Sequence, residues 1–133
     1  MNFVTGNTGV DQFVFDQNSA GNYTTVTNFS VASNDKIALD TTGSAILGND
    51  TYDLGGAGIV DGTNMKAVAD AATRLTIAEV TGGKGGFVYQ QDTAELYYSA
   101  NGNFAGGGTV VGVIDTNNNS TPWVYNPNSF MQV

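Results

Sequence analysis

Gly6-Asn7-Thr8-Gly9-Val10-Asp11-Gln12-Phe13-Val14 asks for a tight turn and then a strand. It follows the nine-residue pattern G-G-x-G-x-D-x-U-x, with Asn7 at the second glycine and Phe13 at the large apolar position. The glycines let the backbone turn sharply and expose carbonyl oxygens, and Asp11 adds a hard carboxylate of the kind Ca²⁺ prefers. Phe13 then starts a short strand directed into a core. Gly6, Thr8, Gly9 and Asp11 are therefore candidate calcium ligands. A competing reading makes Asp11 a turn aspartate whose carboxylate accepts nearby backbone N–H groups.

Strand signals run outward from this stretch. Gln12–Phe15 alternates and puts Phe13 and Phe15 on one face; residues 24–29 are rich in β-branched side chains; residues 36–39 turn Ile37 and Leu39 inward. Further strands are expected over 87–91, 95–98 and 109–114. The single helix is expected over 63–74, capped by Thr63 or Asp61, with Met65, Val68, Ala69 and Ala72 as its apolar stripe. Residues 82–86, 106–108 and 116–120 read as loops, and the glycine-rich 82–86 lacks the spacing of a phosphate loop. The fold class is thus mainly β: a short-strand β-roll or β-sandwich-like domain with one short helix near residues 63–74.

Three blocks resemble the C-terminal domain of RTX, serralysin-type calcium-binding proteins. They are Gly9-x-Asp11-x-Phe13-x-Phe15, then Thr27-Asn28-Phe29 with Asp35-Lys36-Ile37-Ala38-Leu39, and finally residues 86–90, 95–103 and 108–114. The resemblance covers roughly 5–40 and 86–115. It implies a single domain over 1–133: a final β-roll repeat with closing strands over 1–40, a loop plus helix over 41–85, and C-terminal strands with a secretion signal over 86–133. It also implies an upstream domain of a longer protein, with this chain either an excised piece or a small offshoot. Asn28, Ala38, Ser99, Asn101 and Asn103 stand where such domains carry carboxylates. Calcium affinity depends on the number of charged ligands, so the implied cofactor is Ca²⁺ at a weak or incomplete site. Asp50 and Asp53, in a degenerate second repeat over 48–56, are further candidates against a plain-loop reading.

Composition narrows the function. Of 133 residues, twelve are acidic and four basic, and the net charge of −8 excludes nucleic acid and anionic membrane as natural partners. No apolar stretch is long enough for a membrane span, so no membrane insertion is expected. With no cysteine and no histidine, the thiol nucleophile, the commonest general base and most transition-metal ligands are missing. Glu79 and Glu95 belong to no recognisable glycosidase pair, so no enzyme is expected. Tyr89, Tyr97, Tyr98 and Trp123 offer a sugar-binding platform as one reading, and strand-face packing explains most of them. Met1-Asn2-Phe3-Val4-Thr5 lacks the basic and apolar regions of a Sec signal. The resemblance instead assigns the export address to Phe130-Met131-Gln132-Val133, read by a type I ABC exporter, against the alternative of an ordinary last strand. The expected function is a non-enzymatic export and calcium-assisted folding module of a secreted, extracellular protein. The rival is an extracellular surface or adhesin module that binds glycan or a neighbouring subunit.

Overall fold

Phe13 and Phe15 are buried while Gln12 and Val14 face outward, as a period of two requires of a half-buried strand. The computed structural model describes residues 2–16, 23–41, 52–54, 58–77, 85–115 and 123–133. Its strands are β1 (Asn2–Thr5), β2 (Gln12–Phe15), β3 (Thr24–Thr27), β4 (Lys36–Leu39), β5 (Met65–Val68), β6 (Gly86–Gln90), β7 (Glu95–Ser99), β8 (Thr109–Ile114) and β9 (Phe130–Gln132). One four-residue helix, α1 (Ala71–Arg74), lies between β5 and β6. A six-stranded sheet runs β1-β3-β8-β7-β6-β5, and a three-stranded sheet runs β2-β4-β9.

The order of pairing shows how the chain winds. β1, β3 and β8 are parallel neighbours in the large sheet, and β2, β4 and β9 are parallel neighbours in the small one. β1 to β4 therefore alternate between the two sheets, as do β8 and β9, and β1–β2, β3–β4 and β8–β9 form three stacked turns of a roll. Asn2 pairs with Thr24 and Gln12 with Lys36, so one turn takes more residues than two nine-residue units. The mainly β, roll-like sandwich expected from the sequence is what forms.

Between the second and third turns the chain leaves the roll. β6 and β7 form an antiparallel pair, β7 joins β8 antiparallel, and β5 adds parallel to β6. Beyond β9 the small sheet offers no strand among the described residues to cover this extension. Aromatic side chains do so instead: Tyr52 packs on Phe87 and Tyr98, and Trp123 packs edge-on against Tyr89, Phe29 and Phe130. These join Val26, Ile37, Leu39, Met65, Leu96 and Ile114 in one core cluster.

The helix expected over 63–74 is a correction. Residues 65–68 are strand β5, paired with residues 87–90 of β6, and only Ala71–Arg74 is helical. Met65 and Val68 share a helix face but lie on opposite faces of a strand, so Met65 enters the main core and Val68 a smaller cluster with Val88 and Phe104. Pairing with a strand buried along its whole length outweighs the helix preference of the alanines. The cap is Asp70, whose Oδ1 accepts the Thr73 N–H at 2.9 Å. Residues 82–84 of one expected loop, the loop expected over 116–120 and Glu79 lie outside the described residues.

α1 carries a buried cation onto the outer face of the large sheet. The Arg74 Nε donates to Gln90 Oε1 at 2.8 Å, its Nη1 donates to the Gly107 carbonyl, and its guanidinium lies 3.8 Å from the Tyr97 ring centroid. This arrangement helps to explain why every residue of β6 is buried.

Close sheet packing makes Gly112 a sharp test. A Cβ there would meet the Phe15 ring, with Cζ only 2.7 Å away. Gly112→Ala should cost about 1–3 kcal/mol in urea unfolding, and adding Phe15→Leu should recover part of the loss.

Candidate functional site

Stacking the turns of the roll brings together the loops that follow β1 and β3 and the residue that follows β8. The first loop holds Gly6 to Asp11, the second runs from Asn28 to Asp35, and Asp115 opens the third. Backbone bonds tie them together: Gly6 N–H to the Thr27 carbonyl at 3.0 Å, Phe29 N–H to Asp115 at 2.9 Å, and Lys36 N–H to Asp11 at 2.9 Å.

Two carboxylates complete this lattice. Asp11 Oδ2 accepts the Asn7 N–H at 2.8 Å and closes the first loop. Asp35 is 1% exposed; its Oδ1 accepts the Asp11 N–H at 3.0 Å and its Oδ2 the Ser30 N–H at 2.9 Å. One side chain thus closes its own loop and clips the preceding turn. Asp35 entered the sequence reading only as the first letter of a strand motif. Its spacing of five residues from a serine was the available sign of a loop-closing acceptor.

The expected calcium ligands are only partly gathered. Gly6 and Asp11 lie together, since a Cβ on Gly6 would sit 3.3 Å from Asp11 Oδ2. Thr8 and Gly9 are exposed members of the same loop, and Gly9 takes the left-handed φ of +114° that the turn requires. Asp53 belongs elsewhere: its N–H donates to the Tyr98 hydroxyl at 3.3 Å and its carbonyl accepts Gly85 N–H. Asp50 lies outside the described residues. Among the described residues no group of three or more His, Cys, Asp or Glu is placed to hold a metal. Calcium asks for six to eight oxygens, and these loops direct their carboxylates largely at backbone N–H groups.

Asp115 differs from both. It is 5% exposed, and no side-chain hydrogen bond reaches its carboxylate among the described residues. Burial pushes its carboxyl above the ordinary aspartate range. The adjacent Tyr89 hydroxyl, which donates to the Trp123 carbonyl at 2.6 Å, is also shifted upward, first by burial and then by the Asp115 charge.

A second feature lies over β7 and β8. Ser99 Oγ approaches Asn101 Oδ1 at 2.8 Å and the Asn103 carbonyl at 2.9 Å, Asn101 Oδ1 accepts Asn103 N–H, and Asn103 Oδ1 accepts Ala105 N–H. The neutral residues that replace the expected carboxylates therefore organise the turn themselves. Beside it opens a cleft of about 480 Å³ whose lining includes Tyr52, Tyr98, Ser99, Asn103, Gly106 and Thr109. Tyr89, Tyr98 and Trp123 are core residues and Tyr97 lies under Arg74, so packing accounts for all four aromatics considered as a platform, although Tyr98 also reaches the cleft wall.

No family model, curated protein or solved structure matches the chain.

Two substitutions separate the carboxylates. Asp35→Ala strands two N–H groups and should cost roughly 2–4 kcal/mol in chemical denaturation. Asp115→Asn should have the opposite sign. A carboxyl whose pKa is raised by folding favours the fold when protonated, and that contribution is lost as pH rises through its folded value. The variant should melt higher than the parent near neutral pH. The two should converge at about pH 3, below the ordinary aspartate pKa.

Proposed function

We propose that this chain is a non-enzymatic closing module for a parallel β-roll in a type I secreted protein, assisting export and extracellular folding. One observation carries the reading. At one end of the winding, β1 and β2 are edge strands of the two sheets, each paired on one side only among the described strands. Their parallel register offers both edges to a further roll turn. At the other end the antiparallel β7 occupies the edge of β8, which stops parallel stacking in the large sheet. An array open to a further turn at β1 and β2, with its large sheet blocked at β8, suits a terminal cap.

A turn stacked on β1 and β2 would bring fresh oxygens to the loop over residues 6–11, where Asp11 is the carboxylate on hand. Calcium at that junction is part of this proposal. An ion held only by the folded form shifts the equilibrium towards it, so calcium outside the cell would favour folding after export. The twelve acidic residues repel one another without it.

The tail supports a role before folding. Phe130–Gln132 is strand β9, Phe130 is buried, and Val133 N–H donates to the Leu39 carbonyl at 3.0 Å. An exporter that reads Phe130, Met131, Gln132 and Val133 must therefore meet an unfolded chain. Folding would hide the address and make export one-way.

Thermal unfolding in EDTA, millimolar Ca²⁺ and millimolar Mg²⁺ tests the calcium component. The expected result is a calcium-specific rise in Tm for the chain joined to an upstream roll turn, lost in Asp11→Asn. An equal Tm in all three conditions removes calcium from the mechanism. Failure of the last residues to direct a passenger through a type I exporter removes the export role.

A further inference from the structure

We propose that the cleft over β7 and β8 binds a neutral saccharide. The cleft's volume of about 480 Å³ lies within the range of small-ligand sites. Its lining is free of charge although the chain carries −8, so an ionic ligand finds no counter-charge there. The side chains that could bind are hydroxyls and amides beside tyrosine rings.

The polar groups are held in fixed roles. Asn103 Oδ1 is committed to the Ala105 N–H at 2.8 Å, which orients the amide and leaves its Nδ2 as a donor. Ser99 has one hydroxyl hydrogen, directed towards Asn101 Oδ1 or the Asn103 carbonyl, so its oxygen keeps accepting capacity. Thr109 is exposed at the start of β8, and its hydroxyl has no partner among the described residues. A fixed donor, a fixed acceptor and a free hydroxyl suit adjacent sugar hydroxyls, each of which donates and accepts. Tyr52 and Tyr98, buried and packed 4.7 Å apart between ring centroids, back the cleft from the core and keep its wall rigid.

Gly106 keeps the mouth of the cleft open, and Gly108 lets the turn pass close to Phe104. Gly106 has empty space where a Cβ would stand, so a side chain there would occupy the mouth without striking the fold. Gly108 has φ +70°, and a Cβ on it would lie 2.8 Å from Phe104 Cδ1. The site is separate from the stacked loops and from the β1 and β2 edges, so it does not depend on the capping role.

The test is a glycan array followed by calorimetry with the retained sugar, using the complete chain. The expected result is binding of a neutral glycan that weakens about tenfold or more in Asn103→Ala and is abolished in Gly106→Trp. Gly106→Trp, which meets open space, should keep the parent melting temperature; Asn103→Ala frees the exposed Ala105 N–H to solvent and is read at a temperature where it remains folded. Retention of no neutral glycan, retention of charged glycans only, or undiminished binding in both variants would overturn the proposal.

Discussion

Parallel pairing between strands that alternate from one sheet to the other constrains everything else in this molecule. Where the chain crosses from β1 to β2 and from β3 to β4, its loops over residues 6–11 and 28–35 stack as the strands do. Stacked loops bring backbone N–H groups together away from bulk water, and these require acceptors. Asp35 meets that need at the middle turn, where its two oxygens serve the Asp11 and Ser30 N–H groups. Between the sheets, Phe15 can press on the large sheet because Gly112 has no side chain. Loop lattice and core are two consequences of one winding.

Termination is a separate problem, solved by changing strand direction. β7 runs antiparallel to β8, and the sheet then continues through β6 and β5 without a facing strand from the small sheet among the described residues. Tyr52, Tyr98, Trp123 and Tyr125 supply the missing inner layer, and Arg74 with Tyr97 helps cover the outer face. The same extension creates the cleft, because the turn after β7 rises beside the tyrosines. A device that ends the roll thereby also forms a concave, uncharged surface on an acidic protein.

Short-range patterns were legible wherever one face of a strand meets the core. Phe13 with Phe15 and Ile37 with Leu39 marked β2 and β4 to the residue. The turn at Gly9 was legible because few residues tolerate its φ. The reading failed at 65–68, where the spacing of Met65 and Val68 fits a helix face or two faces of a strand equally well. Only the neighbour β6, some twenty residues further along, decides between them. Asp35 was placed in a strand motif and its clipping role was missed, because that role depends on a loop from another turn.

By itself the sequence determined a mainly β chain with strands at β2, β3, β4, β6, β7 and β8, an acidic surface, and a shortage of catalytic side chains. Those properties follow from local periodicity and from counting. Tertiary structure alone decided that the strands wind in parallel, that Asp35 serves backbone N–H groups of two turns, and that Asp115 is buried. It likewise decided that the last residues form an edge strand and that Ser99 and Asn103 border a cleft. Each of these depends on contacts between residues far apart in the chain, where loop lengths and core shape select the partner and no local pattern records the choice.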